Sequence, residues 1–443
     1  MTIPENAPAA TPLGTTPSLT TDAVAEPTPT QLFRQSVRPP RGFTFFLVLA
    51  MVGAGAAQMS AALLTLTLKA TALDAAAATT TISLSSGIAG ILTLFALPII
   101  GTMSDRSRSR FGRRRPYLLL GALAFAVGAV ALVAAPNIPV FVLAHLLITT
   151  GFVTANVTVT ALLTDQLPAD RRGVATALIS MGTPVGALFG MAVSVPFGDH
   201  LVPLVGIPTA LAVIGMLVLA AVIHDPKWEF PRPAFDLRAL LNVFWVNPRR
   251  HSPFTWVFTS RMLVFSGVAA LNGYQAIYLL QKLHLEPAGL GTAILLTVVV
   301  NAGITLLVAP VIGRLSDRLG VRKPFILAAA VILAVGLVLA SAAPNFGFYL
   351  VACTVVGLGQ GVYFAVELVL ATQVLPDPDN PAKDLGILKI ADNLPVTIVA
   401  AAAPALLAIG AGATGPNFAA LFVAGAISAV LGGLVILFVR GAR

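Results

Sequence analysis

The chain has 443 residues, of which 57% are hydrophobic and 10% are charged, and its mean hydropathy is +0.90. So few charged side chains cannot cover a water-soluble protein of this length, which excludes the soluble globular classes and predicts a polytopic membrane protein. The net charge of +9 does not indicate a nucleic-acid partner, because the basic residues stand between apolar runs. The single cysteine, Cys353, excludes an intrachain disulfide and a cysteine metal cluster.

The first 42 residues are rich in Ala, Thr and Pro and contain no run long enough to enter a membrane. This composition predicts a disordered cytoplasmic tail over residues 1–42. The first apolar run, near 43–68, is far longer than the roughly 7 to 15 residues of a signal-peptide core. It therefore predicts a membrane span.

Apolar runs of about 18 residues or more recur along the rest of the chain, separated by turn residues or charges. They predict an all-α fold of twelve membrane-spanning helices, with both termini on one side. The predicted spans are 43–68, 76–100, 117–135, 139–163, 173–195, 203–223, 254–280, 288–312, 325–342, 346–375, 385–409 and 417–439.

The Lys and Arg residues predict the orientation of these spans. Of the 27, only Lys69 and Lys282 follow odd-numbered spans, and Arg261 lies well inside a span. Because positive charge is retained on the cytoplasmic side, both termini are predicted to be cytoplasmic. We expect a multi-pass monomer in the cell membrane, in contact with the lipid bilayer.

A basic loop follows the second span, and a similar loop follows the eighth span. The first copy runs from Gly101 to Pro116 and the second from Gly313 to Pro324. Gly112 and Gly320 are 208 positions apart, and the same offset relates identical residues as far as 168 and 376. A repeat of this size predicts two pseudo-symmetric six-helix bundles, 43–223 and 254–443.

The connection at 224–253 joins the two predicted bundles. It carries apolar residues at helical spacing, which suits a helix lying in the cytoplasmic interface or, equally, a linker helix packed on the bundle. These residues are Phe235, Leu237, Leu240, Leu241, Phe244 and Trp245.

The spacing Gly-x-x-x-Asp-Arg-x-x-x-Arg at Gly101, Asp105, Arg106 and Arg110 resembles the signature loop of the major facilitator superfamily of transporters. The longer string from Ser104 to Pro116 is similar to the form found in its sucrose and glycoside transporters. The resemblance implies the major facilitator fold and alternating access, without catalysis or a cofactor. It also implies a cytoplasmic gate formed by Gly101, Asp105, Arg106 and Arg110, with Asp317 and Arg318 in the second copy. The alternative is that the arginines only fix topology and bind lipid head groups.

Three ionisable residues lie inside predicted spans, where charge is costly in hydrocarbon and marks candidate functional groups. Arg261, Glu367 and Asp392 lie at similar depths in the seventh, tenth and eleventh spans. We interpret Glu367 as the protonatable coupling group, Arg261 as its partner and Asp392 as secondary, with the proton as coupling ion. The alternative is a fixed ion-pair network that only orients helices.

Polar stripes on the spans predict a site for a small-molecule substrate. The resemblance implies that the first, fourth, seventh and tenth helices line the central cavity. Amides and aromatic rings suit a polyhydroxylated ligand, although such residues also bridge helices. The candidate substrate residues are Gln58, His145, Asn156, Asn272, Tyr274, Gln275, Tyr278, Gln360 and Tyr363.

These patterns favour proton-coupled symport of a sugar or glycoside. Gly182, Pro184 and Gly190 in the fifth span are partly similar to the motif of proton-driven efflux antiporters, so efflux of a small organic compound is the alternative. A non-transporting receptor or scaffold is a more remote one. Neither a P-loop nor a His-Glu-x-x-His motif occurs, which argues against ATP-driven transport and a metal-dependent enzyme.

Overall fold

The computed structural model describes residues 39–107, 109–225, 247–376, 381–411 and 415–439. Within these ranges, twelve helices are long and apolar enough to cross a membrane, which confirms the predicted number and the all-α class. Their bounds are α1 Phe43–Leu73, α2 Ala78–Asp105, α3 Arg115–Ala134, α4 Ile138–Gln166, α5 Arg171–Phe197, α6 Leu201–Val222, α7 Ser252–Gln281, α8 Pro287–Leu319, α9 Lys323–Ser341, α10 Phe346–Gln373, α11 Pro381–Ala408 and α12 Phe418–Phe438.

Helices α1–α6 form one bundle, the N-half, and α7–α12 form the other, the C-half. The same pairs of helices pack in both halves. In the N-half, α1 packs with α5 and α6, α3 with α4 and α6, and α2 with α4. In the C-half, α7 packs in the same way with α11 and α12, α9 with α10 and α12, and α8 with α10. The internal repeat of the sequence is therefore a repeat of packing.

Two features predicted from sequence fall outside the described residues. Most of the predicted tail at 1–42 does, and so does the apolar stripe of the 224–253 connection, which lies within 226–246. By contrast, α2 and α8 are longer than their apolar runs and continue to Asp105 and Leu319. Apolar runs mark only the lipid-embedded part of a helix, so polar residues extend both helices beyond it.

Small residues allow α5 to pack directly on the backbone of α1. A Cβ on Gly186 would lie 2.3 Å from the carbonyl oxygen of Val52, and one on Gly190 would lie 2.8 Å from that of Ala56. Within α5 the helix is also interrupted at Met181, between the segment that ends at Ser180 and the segment Gly182–Ala192. Close packing therefore accounts for the small residues of this span.

The two halves meet mainly where α2 packs on α11 and where α5 packs on α8. We call the membrane side that carries the connections 106–114 and 320–322 the basic face, and the other side the opposite face. A Cβ on Gly90 of α2 would lie 2.0 Å from the Thr397 hydroxyl of α11. The halves are therefore in close contact near the middle of the molecule.

Two hydrogen bonds between described residues of the two halves lie toward the opposite face. The Tyr274 hydroxyl of α7 lies 2.7 Å from Ser83 Oγ of α2. Because the single Ser83 hydroxyl hydrogen is donated to Thr79 O, Tyr274 is the donor of this bond. Gln281 Nε2 also donates to Ala75 O, over 3.2 Å.

Candidate functional site

Three charged side chains from α7, α10 and α11 meet inside the C-half. Nη1 of Arg261 donates to Oε2 of Glu367, and its Nε donates to Oδ1 of Asp392 over 2.6 Å. Glu367 is 2% exposed, and the Arg261 side chain is largely buried. The pairing expected from their common depth is thus present, because a charge in a poorly solvated interior requires an opposite charge. The role of this charged triad in proton coupling stays a prediction.

The two carboxylates of the triad have different surroundings. The second oxygen of Glu367, Oε1, is buried and has no hydrogen-bond partner among the described residues. Asp392 uses its second oxygen to contact Nζ of Lys389 at 3.3 Å, and the Lys389 side chain is 75% exposed. A proton on Glu367 would neutralise a buried carboxylate whose second oxygen receives no hydrogen bond from the described residues, whereas Asp392 lies at the solvent-accessible edge.

A cavity of about 430 Å³ lies between the two halves beside this triad. Asp392 forms part of its wall, and so does Phe265, whose ring lies 5.3 Å from the Arg261 guanidinium carbon. Helices α1, α2, α7, α8, α10 and α11 contribute to the lining. Its polar residues are Ser86, Asn272, Gln275, Thr297, Asn301 and Asp392.

Of the candidate substrate residues on α7, Asn272 and Gln275 line this cavity. Tyr274 instead forms the hydrogen bond to Ser83 described above. Tyr278 does not line this cavity, and its hydroxyl donates to Ala340 O over 2.8 Å within the C-half. Aromatic residues of α10 and α12 surround its ring, so this tyrosine belongs to the core.

The other candidate substrate residues lie outside the lining of this cavity. In the N-half, Gln58 Oε1 and His145 Nδ1 are buried and have no hydrogen-bond partner among the described residues, while Asn156 is half-buried. In the C-half, Gln360 and Tyr363 are buried. The Tyr363 ring packs edge-on against Phe265, with centroids 6.1 Å apart, so it supports a cavity residue from behind.

Three polar residues of the cavity were missed by sequence reasoning. Asn301 and Thr297 lie on α8, and Ser86 lies on α2. Asn301 is the only amide residue in α8, and a single amide within a long apolar span is costly unless it faces a polar space. The presence of one amide in this apolar helix was therefore the sequence signal that could have identified Asn301 as a cavity residue.

The first basic loop forms an ion-pair network within the N-half. Asp105 Oδ1 accepts from Arg113 Nη2 at 2.6 Å and from Arg114 Nη2 at 2.7 Å. Arg114 also contacts Asp165 Oδ2 of α4 at 2.9 Å and donates to Ser104 Oγ at 2.7 Å. Because Arg114 is 3% exposed, its several acceptors offset the cost of burying its charge.

A further carboxylate, on Asp225 after α6, caps the start of α3. Its Oδ2 accepts from the backbone N–H groups of Arg114 and Arg115, at 2.6 and 2.9 Å. A negative charge is stabilising at this position, because the first N–H groups of a helix have no partner within it. Gly112 has a φ of +108°, and a Cβ there would lie 2.4 Å from the same carboxylate oxygen.

The predicted gate residues contact their own halves in this structure. Gly101 approaches Val157 of α4, and Asp317 pairs with Arg322 at 3.3 Å. Arg106 is the C-cap of α2, and Arg318 is exposed in the last turn of α8. The guanidinium of Arg110 lies over the Phe111 ring, 4.9 Å from its centroid. The ion pairs described here for Asp105 and Asp317 join residues of one half. The role of these residues as a gate between the halves stays a prediction.

Two equivalent helical bundles around a polar cavity near the membrane midplane define the architecture of a secondary transporter. The chain belongs to the Major Facilitator Superfamily, whose family model matches residues 43–308 and 257–443. Over 152 residues it is 28% identical to YwtG of Bacillus subtilis (strain 168), whose name is that of a metabolite transport protein. That alignment spans 33% of this chain and 29% of YwtG.

Solved structures show the same fold at low sequence identity. The crystal structure of the nucleoside transporter NupG superposes with a TM-score of 0.71 at 12% identity, over 90% of this chain and 99% of that one. The crystal structure of a D-xylose-proton symporter superposes with a TM-score of 0.65 at 17% identity, over 90% and 97% of the two chains.

Proposed function

We propose that this transporter moves a neutral polyhydroxylated solute, with a sugar or glycoside as the leading class, together with protons by alternating access. The observation that carries the proposal is the adjacency of the charged triad to the polar cavity. Asp392 belongs to both, because it accepts from Arg261 and forms part of the cavity wall. A change in protonation at the triad therefore acts directly on a wall of the binding space.

The lining of the cavity supports a neutral polar substrate. Its amides and hydroxyls both donate and accept, which matches the hydroxyl groups of a sugar. The Phe265 ring offers an apolar face for a sugar ring. Among the described residues that line the cavity, only Asp392 is charged, so this lining presents no cation that would favour an anionic substrate.

Coupling would proceed through competition for Glu367. In the deprotonated protein, Arg261 bonds both carboxylates. A proton added to Glu367 weakens its attraction to Arg261 and leaves Asp392 as the remaining anionic partner. Since the three residues lie on three different helices, this change in pairing alters how α10 is held against α7 and α11. That step would link proton binding to rearrangement of the C-half.

The orientation proposed for this cycle places the basic face in the cytoplasm of a cell whose plasma or inner membrane holds the protein. Hydrogen bonds between the halves toward the opposite face support a state closed on that side. The basic loops would then stabilise the alternate state, in which the halves approach at the basic face. Asp105 and Asp317 are 54% and 69% exposed at the side chain and are available for new partners in that state.

The test is uptake of a panel of radiolabelled sugars into proteoliposomes, with and without an imposed inward proton gradient. Accumulation of a sugar that depends on the gradient would support symport. If folded protein transports no sugar, the substrate class is wrong. If it transports a sugar equally well without the gradient, the coupling assignment is wrong.

A further inference from the structure

A narrow apolar slot lies between α3 and α6 at the basic face, away from the central cavity. Its volume is about 270 Å³, and it is lined by Phe111, Leu119, Leu217, Ala220, Ala221 and Arg115. Phe111 is 57% exposed, and Leu119 and Leu217 are each nearly half exposed. The apolar part of this surface therefore opens outward, where a membrane protein contacts lipid chains.

Arg115 lines the polar end of the slot and Arg110 lies next to it, and neither side chain pairs with a carboxylate among the described residues. Arg115 donates from Nη2 to Ile223 O at 2.6 Å, and its Nε is buried with no hydrogen-bond acceptor. Arg110 lies over the Phe111 ring, which forms part of the slot. The neighbouring carboxylates of Asp105 and Asp165 are instead paired with Arg113 and Arg114. The carboxylate of Asp225 accepts from the backbone N–H groups of Arg114 and Arg115.

We infer that this slot binds an anionic phospholipid, with one acyl chain along the apolar wall and the phosphate beside Arg110 and Arg115. Apolar grooves that end in basic residues at a membrane surface suit anionic lipid head groups, because one ligand satisfies both requirements. A soluble anion would leave the apolar wall uncovered. A zwitterionic lipid would fill the wall and bind the arginines less strongly.

The C-half provides an internal comparison. Lys323 stands 208 positions after Arg115, and its Nζ donates to Val439 O at 2.5 Å, in the same way that Arg115 donates to Ile223 O. The apolar groove described between the equivalent helices, α9 and α12, lies deeper in the membrane, because its α9 lining runs from Val331 to Leu339. Lys323 therefore matches Arg115 in charge and anchoring, but it does not line that groove.

The test is native mass spectrometry of the purified full-length chain with dioleoyl phosphatidylglycerol, with phosphatidylcholine of the same chains, and with inorganic phosphate. We expect preferential retention of phosphatidylglycerol. Arg115→Gln should reduce that retention by about fivefold, whereas Lys323→Gln should leave it nearly unchanged. An equal effect of the two substitutions would overturn the proposal. Inorganic phosphate that displaces the lipid completely would also overturn it, because the site would then recognise an anion only.

A second variant keeps the test valid if Arg115→Gln unfolds the protein. Ala221→Phe fills the slot and leaves both arginines in place, and it should abolish preferential binding of phosphatidylglycerol. Val130→Phe is the control, because Val130 is 70% exposed on α3 outside the slot. If Ala221→Phe binds the lipid as well as Val130→Phe does, the slot is not the binding site.

Discussion

The guanidinium of Arg261 on α7 is hydrogen bonded to the carboxylate of Glu367 on α10, although the two residues are 106 positions apart. The same guanidinium bonds Asp392 on α11. One cation thus holds two anions on different helices, in a part of the C-half that is mostly shielded from water. Removal of the Arg261 cation should therefore affect the stability of the protein differently from removal of either carboxylate.

Substitution of Arg261 by Gln should destabilise the protein. The variant leaves Glu367 and Asp392 close together without their shared cation, and loss of one partner from a buried ion pair costs about 3 to 5 kcal/mol of the free energy of unfolding. The measurement is the thermal unfolding midpoint of purified protein in detergent. The loss should shrink at low pH, because protonation removes the unpaired negative charges.

Two further variants control this prediction. Arg261→Gln combined with Glu367→Gln should recover much of the lost stability, since one anion is removed with the cation. Lys389→Gln should change the midpoint little, because its side chain is 75% exposed. If Arg261→Gln is no less stable than Lys389→Gln, the triad does not hold these helices together.

Substitution of Tyr274 by Phe should favour opening at the opposite face, because it removes the hydrogen bond to Ser83 between the halves. Such a bond contributes about 0.5 to 1.5 kcal/mol, so the open population should rise by about two- to tenfold. The measurement is the distance between two spin labels, obtained by double electron–electron resonance. The labels are placed at positions 136 and 344, which are exposed in connections of the two halves, in a Cys353→Ala background.

Tyr278→Phe is the matched control for this substitution. It removes the same hydroxyl four residues further along α7, but that hydroxyl bonds Ala340 within one half. The distance distribution should therefore stay at its original value. An equal shift in both variants would mean that Tyr274 acts through general loosening of α7.

Substitution of Asn301 by Ala should weaken substrate binding. Its side chain belongs to the cavity wall, and loss of one hydrogen bond to the substrate is worth about 1 to 2 kcal/mol, or a five- to thirtyfold rise in the dissociation constant. The measurement is the substrate concentration that gives half-maximal counterflow. Asn156→Ala should have a smaller effect, because Asn156 does not line the cavity. A larger effect of Asn156→Ala than of Asn301→Ala would contradict this prediction, because it would place the substrate on the N-half.

Substitution of Gly186 by Ala should separate α5 from α1. The added methyl group would meet the Val52 carbonyl at 2.3 Å, which the backbone cannot avoid without shifting, and such overpacking costs about 1 to 3 kcal/mol. The measurement is the unfolding midpoint in detergent. Gly206→Ala in α6 is the control, because no atom lies within 4 Å of the added methyl group there. Equal midpoints for the two variants would refute close packing as the reason for Gly186.

The sequence predicted the number of spans and the charged triad because both follow from the cost of polarity in hydrocarbon. Apolar runs must span the membrane, and Arg261 must find an anion. Helical periodicity did not distinguish Asn272 from Tyr278. It shows which residues lie on one side of a helix, but it does not show whether that side meets a cavity or other helices. Asn272 lines the cavity, whereas the Tyr278 ring lies in the core.

The contacts that depend on distant parts of the chain were also missed. Asp165 and Asp225 complete the network around the first basic loop, yet they lie about 50 and 110 positions from Arg114. Neither is part of the loop motif, so no local pattern could assign them. Asn301 was missed because a single amide defines no stripe.

The most direct test of the central claim, that Glu367 carries the coupling proton, is a paired transport measurement in proteoliposomes. Substrate-driven proton movement is followed with a pH-sensitive dye, and sugar counterflow is followed in the same preparation, using the sugar identified by the uptake panel. Wild-type protein should move protons with the sugar. Glu367→Gln should move none above empty vesicles while it retains counterflow, because exchange does not require an empty deprotonated carrier. Proton movement at the wild-type rate by Glu367→Gln would contradict the claim.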